Sequence, residues 1–479
     1  MYNRRILLLP FLMAPGYLSK MLTCFPLLSL LSLSSLLVPV GLAAEPDPTI
    51  PFETYTLDNG LVVVLAKDDS VPFVQVHVRY AAGSKDELPG KSGFAHLFEH
   101  MMFQGSAHAD DDYFAPFLPL GGQLNGNTTL DRTVYFEGVP SNYLAFALFH
   151  ESDRMGWLLP AMTAEKFKNQ QDVVRNERRQ RYETPPYGEA WPKLLESVWP
   201  EGHPYHIATI GKHEDLSAAS LDDVQAFFRT WYLPNNATLT VCGDFDPAEA
   251  KALVQTYFGD VPAGPEPKLT TAAPVTLTGT RVVKVEKPAV PFPKVWIAWI
   301  SPAAFAEGDA DLDLVASILS NGEDSPLYKR LVRDSRIAQS VNVSQNSQML
   351  SGMFIIEATA ATGHTADELV AAIDDVLANA RKTGISAEDL DIARTAYEVG
   401  FYGALQSIAG KADLLSQYQG LTGDAGYLSK DIARYRAASV DSVNAALRRW
   451  APAENRVVLQ FLPSPVAPSP ATPSTEESK

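Results

Sequence analysis

An internal repeat constrains the fold of this 479-residue chain more than any other feature of its sequence. The run Val71-Pro72-Phe73 recurs as Val290-Pro291-Phe292, an offset of 219 positions, and an alternating strand-like run follows each copy. The same offset relates two further pairs of segments: Asp172 to Arg175 with Asp391 to Arg394, and Asp222 to Asn236 with Asp441 to Asn455. One offset that returns along the chain predicts two homologous domains.

The repeat also predicts where the two domains lie and how they are built. We place them at residues 45–262 and 283–463, joined by a linker over 263–282 that begins with Pro, Gly and Ala residues. Each copy mixes alternating strands, such as Phe73–Tyr80, with helical stretches such as Ala164–Tyr182. The predicted class is therefore α+β, with helices packed on an antiparallel-rich sheet in each domain.

The two ends of the chain differ in composition from the rest. Within residues 1–44, which contain no acidic residue, Arg4, Arg5 and Lys20 precede a Leu/Ser-rich apolar stretch that ends in small residues. This pattern is typical of a cleaved export signal and predicts a periplasmic protein if the source is a Gram-negative bacterium. The apolar run is also long enough for an uncleaved membrane anchor. The Pro/Ser-rich tail, 464–479, is expected to be disordered.

The net charge and the cysteine content limit the partners, cross-links and metal sites that this chain can have. Without residues 1–44, 36 Lys and Arg residues face 56 acidic residues, a net charge of −20. This acidic balance argues against a nucleic-acid partner and is compatible with cationic peptides as ligands. Cys24 belongs to the predicted signal, so Cys242 alone remains, which excludes an intramolecular disulfide and a Cys-ligated zinc site.

Residues 96 to 100 read His-Leu-Phe-Glu-His and predict a metal site on a helix. At about 100° per residue, His96 and His100 lie about 40° apart in projection, and Glu99 falls within an arc of about 100° with them. Neutral imidazole is a common zinc ligand, and a catalytic zinc usually takes three protein ligands and a water. His-x-x-Glu-His is the inverzincin signature. The alternative is a pair of buried helix histidines satisfied by hydrogen bonds.

The second copy of the repeat serves as an internal control for this motif. The offset carries the three polar residues onto an apolar helix, at Val315, Ile318 and Leu319. One active and one degenerate domain is a natural outcome of duplication around a single metal site, whereas a structural histidine pair would need no such asymmetry.

Three stretches carry a resemblance to a known family: Gly93-Phe-Ala-His-Leu-Phe-Glu-His-Met-Met-Phe103, Gly121-Gly-Gln-Leu-Asn125 and Thr133-Val-Tyr-Phe136. They resemble the pitrilysin/insulinase-type inverzincin metallopeptidases, and the resemblance spans essentially all of the chain after residue 44. It implies two homologous α/β sandwich domains that form half of a clamshell chamber. It also implies zinc-dependent cleavage of unfolded peptides.

The resemblance assigns roles at the metal site. The family's third zinc ligand lies some 77 residues beyond the second histidine, where this chain has Glu177. It follows that His96, His100 and Glu177 would hold one Zn²⁺ per chain and that Glu99 would act as the general base. From residue type alone, Glu177 could equally be a solvated helix carboxylate.

The resemblance also implies residues around the ligands. A segment matching Gly122 to Tyr135 would supply an edge strand that captures extended peptide, with Asn125 and Tyr135 as substrate-binding residues. Seven residues before the third ligand, where many members carry another glutamate, this chain has Gln170. A neutral amide would leave less negative charge near the zinc without removing a ligand.

A departure in the second domain predicts a partner subunit. Family members that complete a substrate-binding Arg/Tyr pair carry it at positions where this chain has Val332 and Gln339. The chain also carries two of the four domains that enclose the family's chamber. Together these features imply the zinc-bearing half of a heterodimer whose homologous partner supplies the pair. The alternative is a homodimer in which Arg333 or Arg336 compensates.

Two other functions are weighed against a peptidase. Some relatives keep this fold as non-catalytic scaffold or binding subunits, which would explain the missing Arg/Tyr pair but not the intact ligand set. Hydrolysis of a nucleotide is disfavoured because the chain has no Walker-type Gly-x-x-x-x-Gly-Lys loop.

Overall fold

The computed structural model describes residues 49–110, 112–266 and 268–464. The predicted export signal, 1–44, and all but the first residue of the predicted tail, 464–479, lie outside these residues. Within them, no helix combines the length and apolar character needed to cross a membrane.

Eleven strands of the described chain form two mixed sheets. The strands are β1 (Glu53–Thr56), β2 (Val62–Lys67), β3 (Phe73–Tyr80), β4 (Gln123–Thr128), β5 (Thr133–Pro140), β6 (Ala237–Gly243), β7 (Thr280–Lys287), β8 (Lys294–Ser301), β9 (Ala338–Ser347), β10 (Gly352–Ala360) and β11 (Arg456–Pro463). The first sheet has the order β1-β2-β6-β3-β5-β4 and the second β7-β11-β8-β10-β9. Pairs are antiparallel except β2 with β6 and β7 with β11. The predicted α+β class, with antiparallel-rich sheets, is confirmed.

Fourteen helices of the described chain pack around these sheets. They are α1 (Phe94–Met101), α2 (Leu144–Ala161), α3 (Ala164–Arg178), α4 (Ala190–Val198), α5 (His213–Ala218), α6 (Leu221–Trp231), α7 (Pro247–Phe258), α8 (Asp309–Ser320), α9 (Pro326–Tyr328), α10 (Ala366–Thr383), α11 (Ala387–Ala404), α12 (Ile408–Thr422), α13 (Leu428–Ala437) and α14 (Val440–Trp450). A turn of π-helix, Arg179–Glu183, continues α3.

The repeat in the sequence is a repeat of the whole sheet-and-helix unit. Without the extra edge strand β1, the two sheets have the same strand order and the same single parallel pair. Thr133 and Gly352, which begin β5 and β10, are 219 positions apart, as are Leu221 and Val440, which begin α6 and α14. One pattern of alternating strands and amphipathic helices therefore folds twice. The strand β7 begins inside the predicted linker, 263–282, because it pairs with the start of β11.

The two halves cover each other's sheets with equivalent helices. Helix α4 of the first half packs on β8 and β11, whereas α12 of the second half packs on β3 and β6. The buried faces of α4 and α12 include Leu194, Leu195, Leu415 and Tyr418. One core cluster consequently extends from the first half to Trp296 and Phe461 of the second. Burial of this continuous apolar surface fixes the halves as one unit.

A buried hydrogen-bond network also joins the halves. Tyr205, which has no exposed side-chain surface, donates its hydroxyl to Oδ1 of Asp131 at 2.6 Å. The backbone N–H of Leu350 donates to the Tyr205 hydroxyl at 2.9 Å, and that of Met349 donates to Oδ2 of Asp131 at 2.8 Å. The β9–β10 turn of the second half is thus bound by two side chains of the first.

We predict that Tyr205→Phe lowers the free energy of unfolding by about 1–3 kcal/mol, because it leaves buried groups of Asp131 and Leu350 without a partner. The measurement is the midpoint of urea denaturation. The control is Tyr143→Phe, at a partly buried tyrosine whose hydroxyl makes no hydrogen bond within the described residues. Equal midpoints for the two variants would contradict the role of the network.

Candidate metal centre

Helix α1 presents its apolar residues to the core and its polar residues to a cavity. The buried residues are Phe94, Ala95, Leu97, Phe98 and Met101, and the polar residues are His96, Glu99 and His100. The helix begins after Gly93, whose φ of +87° is in the left-handed region. A Cβ there would lie 2.9 Å from the carbonyl oxygen of Ile210, so glycine allows both the turn and the close approach.

Glu87 fixes the first turn of α1. Its carboxylate oxygens accept hydrogen bonds from the backbone N–H groups of Gly93 at 3.0 Å and Ala95 at 2.8 Å. Burial raises the pKa of Glu87 to about 8, although these two bonds favour the carboxylate. The cap satisfies N–H groups that no helical carbonyl can reach and thereby orients the residues that follow.

Helix α3 packs against α1 and brings a third ligand-type group to the two histidines. Oε2 of Glu177 lies 3.2 Å from Nε2 of His100 and 3.7 Å from Nε2 of His96. Potential ligand atoms of the three residues all lie within 4.8 Å of one another. The structure therefore brings together residues that are 77 or more positions apart in the sequence.

Two of the three groups have the protonation state of metal ligands. Burial and the neighbouring His100 lower the pKa of His96 to about 4, so this ring is neutral at pH 7. Burial alone would raise the pKa of Glu177, but the hydrogen bond with His100 and the nearby positive charge, including that of Arg181, outweigh it and lower that pKa. The third, His100, would release a proton on binding a metal, because burial would lower its pKa but the hydrogen bond with Glu177 raises it. A neutral imidazole and an ionised carboxylate are the forms that bind a metal ion.

Gln170 contacts the outer nitrogen of one histidine. Its Oε1 lies 3.3 Å from Nδ1 of His100. With a metal bound, a proton on Nδ1 would leave Nε2, the atom that faces Glu177, with the lone pair that ligates the metal. Nδ1 of His96 is buried and has no hydrogen-bond partner among the described residues.

Glu99 lies beside the three ligand-type residues and is held by the end of β4. The hydroxyl of Thr128 donates to Oε2 of Glu99 at 2.6 Å. Burial raises the pKa of Glu99 even though this hydrogen bond lowers it. Oε1 has no such donor among the described residues, so one oxygen of the carboxylate is oriented and the other is available to a bound molecule.

These residues line a cavity of about 490 Å³. Four consecutive residues of β4, Asn125 to Thr128, form one wall, and three aromatic side chains contribute apolar surface: Phe103, Phe114 and Tyr182. β4 is the last strand of its sheet, so no strand of the described residues pairs with its other edge along this wall. The cavity can accept an extended chain beside the polar cluster.

The predicted substrate-binding residues have different surroundings. Asn125 lines the cavity, and its Oδ1 accepts a hydrogen bond from the N–H of Gly126. Tyr135 is fully buried in the core, where its ring packs against Phe103 and beneath the guanidinium of Arg154. The assignment of Tyr135 to substrate binding is therefore corrected: both faces of β5 are largely covered, and Arg154 and Phe103 pack against this side chain.

Two residues of the site were not predicted from the sequence. Thr128 positions Glu99, and Arg181 forms an ion pair with Glu177, with Nη1 2.8 Å from Oε1. The i to i+4 spacing of Glu177 and Arg181 was a usable signal, because side chains four apart on a helix are neighbours. Nothing local links Thr128 to Glu99, since their contact depends on how β4 packs beside α1.

Within the described residues, the second half has no counterpart of this cluster. The offset of 219 carries His96, Glu99, His100 and Glu177 onto Val315, Ile318, Leu319 and Ala396. The first three lie on α8 and are buried in the second core cluster. The equivalent helix thus carries hydrocarbon side chains at the positions of the polar cluster.

The donor set fits zinc. Ligand atoms about 2.0–2.2 Å from a tetrahedral zinc lie about 3.4 Å from one another. The separations of 3.2 and 3.7 Å between Glu177 and the two histidines agree with this value. Two imidazole nitrogens and one carboxylate oxygen leave a fourth position open, which is the composition of a catalytic rather than a structural zinc site.

Comparison with known proteins identifies the family. A family profile described as Insulinase (Peptidase family M16) matches residues 62–205, and one described as Peptidase M16 inactive domain matches 218–397. The zinc protease PqqE of Helicobacter pylori is 29% identical over 414 residues, which are 83% of this chain and 92% of that protein. The chain belongs to the pitrilysin/insulinase-type peptidase family.

Solved structures with the family fold match the chain along most of its length. A protease from Helicobacter pylori has a TM-score of 0.80 at 25% identity, and the match covers 86% of this chain and 100% of that protease. The periplasmic protease PqqL from Escherichia coli has a TM-score of 0.72 at 18% identity, with 88% of this chain covered but 48% of PqqL. The chain thus has the fold of about half of PqqL, and relatives named as zinc proteases make zinc a property of the family.

We predict that Gln170→Leu weakens zinc binding about 10- to 100-fold, because His100 loses the partner of its outer nitrogen. Gln170→Glu should retain or strengthen binding. Competition with a chromophoric chelator measures both affinities. Gln180→Leu, at an exposed glutamine on the π-helical turn, is the matched control. Equal affinity of Gln170→Leu and the control would contradict a supporting role for Gln170.

Proposed function

We propose that this protein is an exported zinc metalloendopeptidase that cleaves unfolded peptides. The observation that carries the proposal is the convergence of His96, His100 and Glu177, with Glu99 beside them on a cavity wall. Family membership supports peptidase chemistry, and the relatives' names support zinc. Export rests on the composition of residues 1–44, and we propose the periplasm as the compartment of a Gram-negative source.

The two histidines and Glu177 would hold one zinc ion per chain. When bound, zinc supplies Lewis acidity, which polarises a peptide carbonyl and makes a water molecule more acidic. Oε1 of Glu99 would accept the proton of the attacking water and pass it to the leaving amine nitrogen. Thr128 holds Oε2 of the same carboxylate, so the proton-accepting oxygen keeps one orientation.

The free edge of β4 would bind the substrate. A peptide added there pairs with the strand through main-chain hydrogen bonds, so recognition depends mostly on an extended, unfolded backbone. Asn125 lies on this edge and would contact the peptide backbone. Side-chain preference would then come from the cavity's aromatic wall.

Substitutions separate zinc binding from catalysis. We predict that Glu99→Gln keeps a full equivalent of zinc and lowers kcat by about 10²–10⁴-fold, because the general base is lost. By contrast, His100→Ala and Glu177→Gln should lose both zinc and activity, because each removes a ligand. Metal analysis with a fluorogenic peptide assay measures both quantities.

The control for these variants is Glu183→Gln, a carboxylate six residues beyond Glu177 that pairs with Arg178 and His213. It should keep both zinc and activity. Full zinc occupancy in all of the ligand variants would contradict the assignment of the ligands. Undiminished turnover in Glu99→Gln would contradict the general base.

The peptidase would require a homologous partner chain. The positions of the family's Arg/Tyr pair hold Val332, which packs against the second core, and Gln339, which donates to the carbonyl of Ala360. Neither can supply a guanidinium or a phenol. Of the arginines that could compensate in a homodimer, Arg333 is exposed and pairs with Asp324 and Asp334. The match to about half of PqqL also supports a two-half assembly.

We predict that peptide cleavage appears only when this chain is mixed with a homologue that carries the Arg/Tyr pair. The assay compares the chain alone, the homologue alone and the mixture at equal zinc content. Full specific activity of the chain alone would contradict the heterodimer and favour a homodimer. Bound zinc without cleavage in every mixture would favour a non-catalytic binding subunit.

A further inference from the structure

A second cavity, of about 200 Å³, lies where the two halves meet. Its walls come from the end of β3, the β4–β5 turn, the β9–β10 turn and α12. Arg79 and Arg132 both line it, and Nη1 of Arg132 also donates to the backbone and side-chain oxygens of Asn127. Thr129, which follows Thr128 of the metal centre in the sequence, is also part of the wall, so the two cavities adjoin across the β4–β5 turn.

Arg79 is buried at this cavity without a partner. Its exposure is 7%, and it makes no hydrogen bond or ion pair with any described residue. A guanidinium has five N–H donors and no acceptor, so its burial costs free energy unless an acceptor is nearby. Because Arg79 is otherwise buried, such an acceptor can reach its guanidinium from the cavity.

Helix α12 has a glycine where the Arg79 side chain lies against it. A Cβ added at Gly420 would lie 2.2 Å from Nε of Arg79. The guanidinium therefore lies directly against the helix and reaches the cavity because residue 420 has no side chain. A substitution at Gly420 would displace Arg79 while leaving both arginine charges in the protein.

The carboxylates around the cavity are engaged elsewhere. Both oxygens of Asp131 accept hydrogen bonds from the network that joins the halves. Oδ1 of Asp413 lies 3.5 Å from Nε2 of His77. Burial and the positive charge of Arg132 lower the pKa of Arg79 to about 10, against the weaker effect of the two aspartates. Two arginines and two aspartates line the cavity, so its formal charge is balanced, but neither aspartate makes an ion pair with Arg79, whose N–H groups have no acceptor among the described residues.

We propose that this cavity binds a carboxylate, with Arg79 as its bidentate donor and Arg132 as a second contact. The planar fork of arginine matches the two oxygens of a carboxylate. A phosphate dianion fits less well because Asp131 and Asp413 already place two negative charges in the wall. The carboxylate comes either from a peptide, as an acidic side chain or a C-terminus, or from a free small acid.

The test is equilibrium binding to the full chain, without turnover, so its outcome does not depend on the proposed peptidase activity. Isothermal titration uses succinate, inorganic phosphate, and one acidic peptide with its matched amide. Because carboxylates also ligate zinc, every variant is compared at equal zinc content. We expect saturable 1:1 binding of the carboxylates and at least tenfold weaker binding in both Arg79→Gln and Gly420→Ala.

Two variants control for unrelated effects. Gly403→Ala on α11 adds a Cβ that meets no atom within 4 Å, and Arg448→Gln on α14 removes an exposed arginine. Both should bind as the unaltered chain does. If the acidic peptide binds but its amide and succinate do not, the site is assigned to peptides. If succinate binds and the acidic peptide does not, the site is assigned to small acids. Equal affinity in all four variants, or phosphate bound more tightly than any carboxylate, would overturn the proposal.

Discussion

The candidate metal centre depends on the way α1 is held. This helix of 8 residues must bury one face in the core while the other keeps His96, Glu99 and His100 together. Its apolar residues anchor it to the first sheet, Glu87 satisfies its first N–H groups, and Gly93 allows the turn that precedes it. Because the polar face is then fixed, α3 has one position in which Glu177 meets the histidines. A shift of α1 by one turn would separate the ligands by about 5 Å.

Much of this arrangement could be predicted from local patterns. The repeat, the α+β class and strand β3 follow from alternation and self-similarity, and the family resemblance pointed to Glu177. The exchange of α4 and α12 between the halves has no local signal, because a helix pattern does not state which sheet the helix covers. For the same reason the burial of Tyr135 was missed: its place in the core is decided by Arg154 and Phe103, from distant segments.

The two halves share one fold, but only the first carries a candidate metal site, and the second has apolar packing at the equivalent positions. In the first half, the polar side chains of α1 face a cavity, whereas in the second half the equivalent side chains on α8 are buried hydrocarbons. The second half nonetheless contributes to the surroundings of the first, since α12 covers the first sheet and the β9–β10 turn binds Asp131 and Tyr205. The junction cavity with Arg79 arises from this shared construction.

The account's central claim is that two imidazoles and one carboxylate hold a single zinc. X-ray absorption at the zinc edge, on the stoichiometrically loaded chain, tests it most directly. The account predicts one zinc per chain with nitrogen and oxygen neighbours at about 2.0–2.2 Å and the multiple-scattering signature of two imidazoles. Sulfur neighbours at about 2.3 Å, or fewer than two imidazoles around the metal, would contradict it.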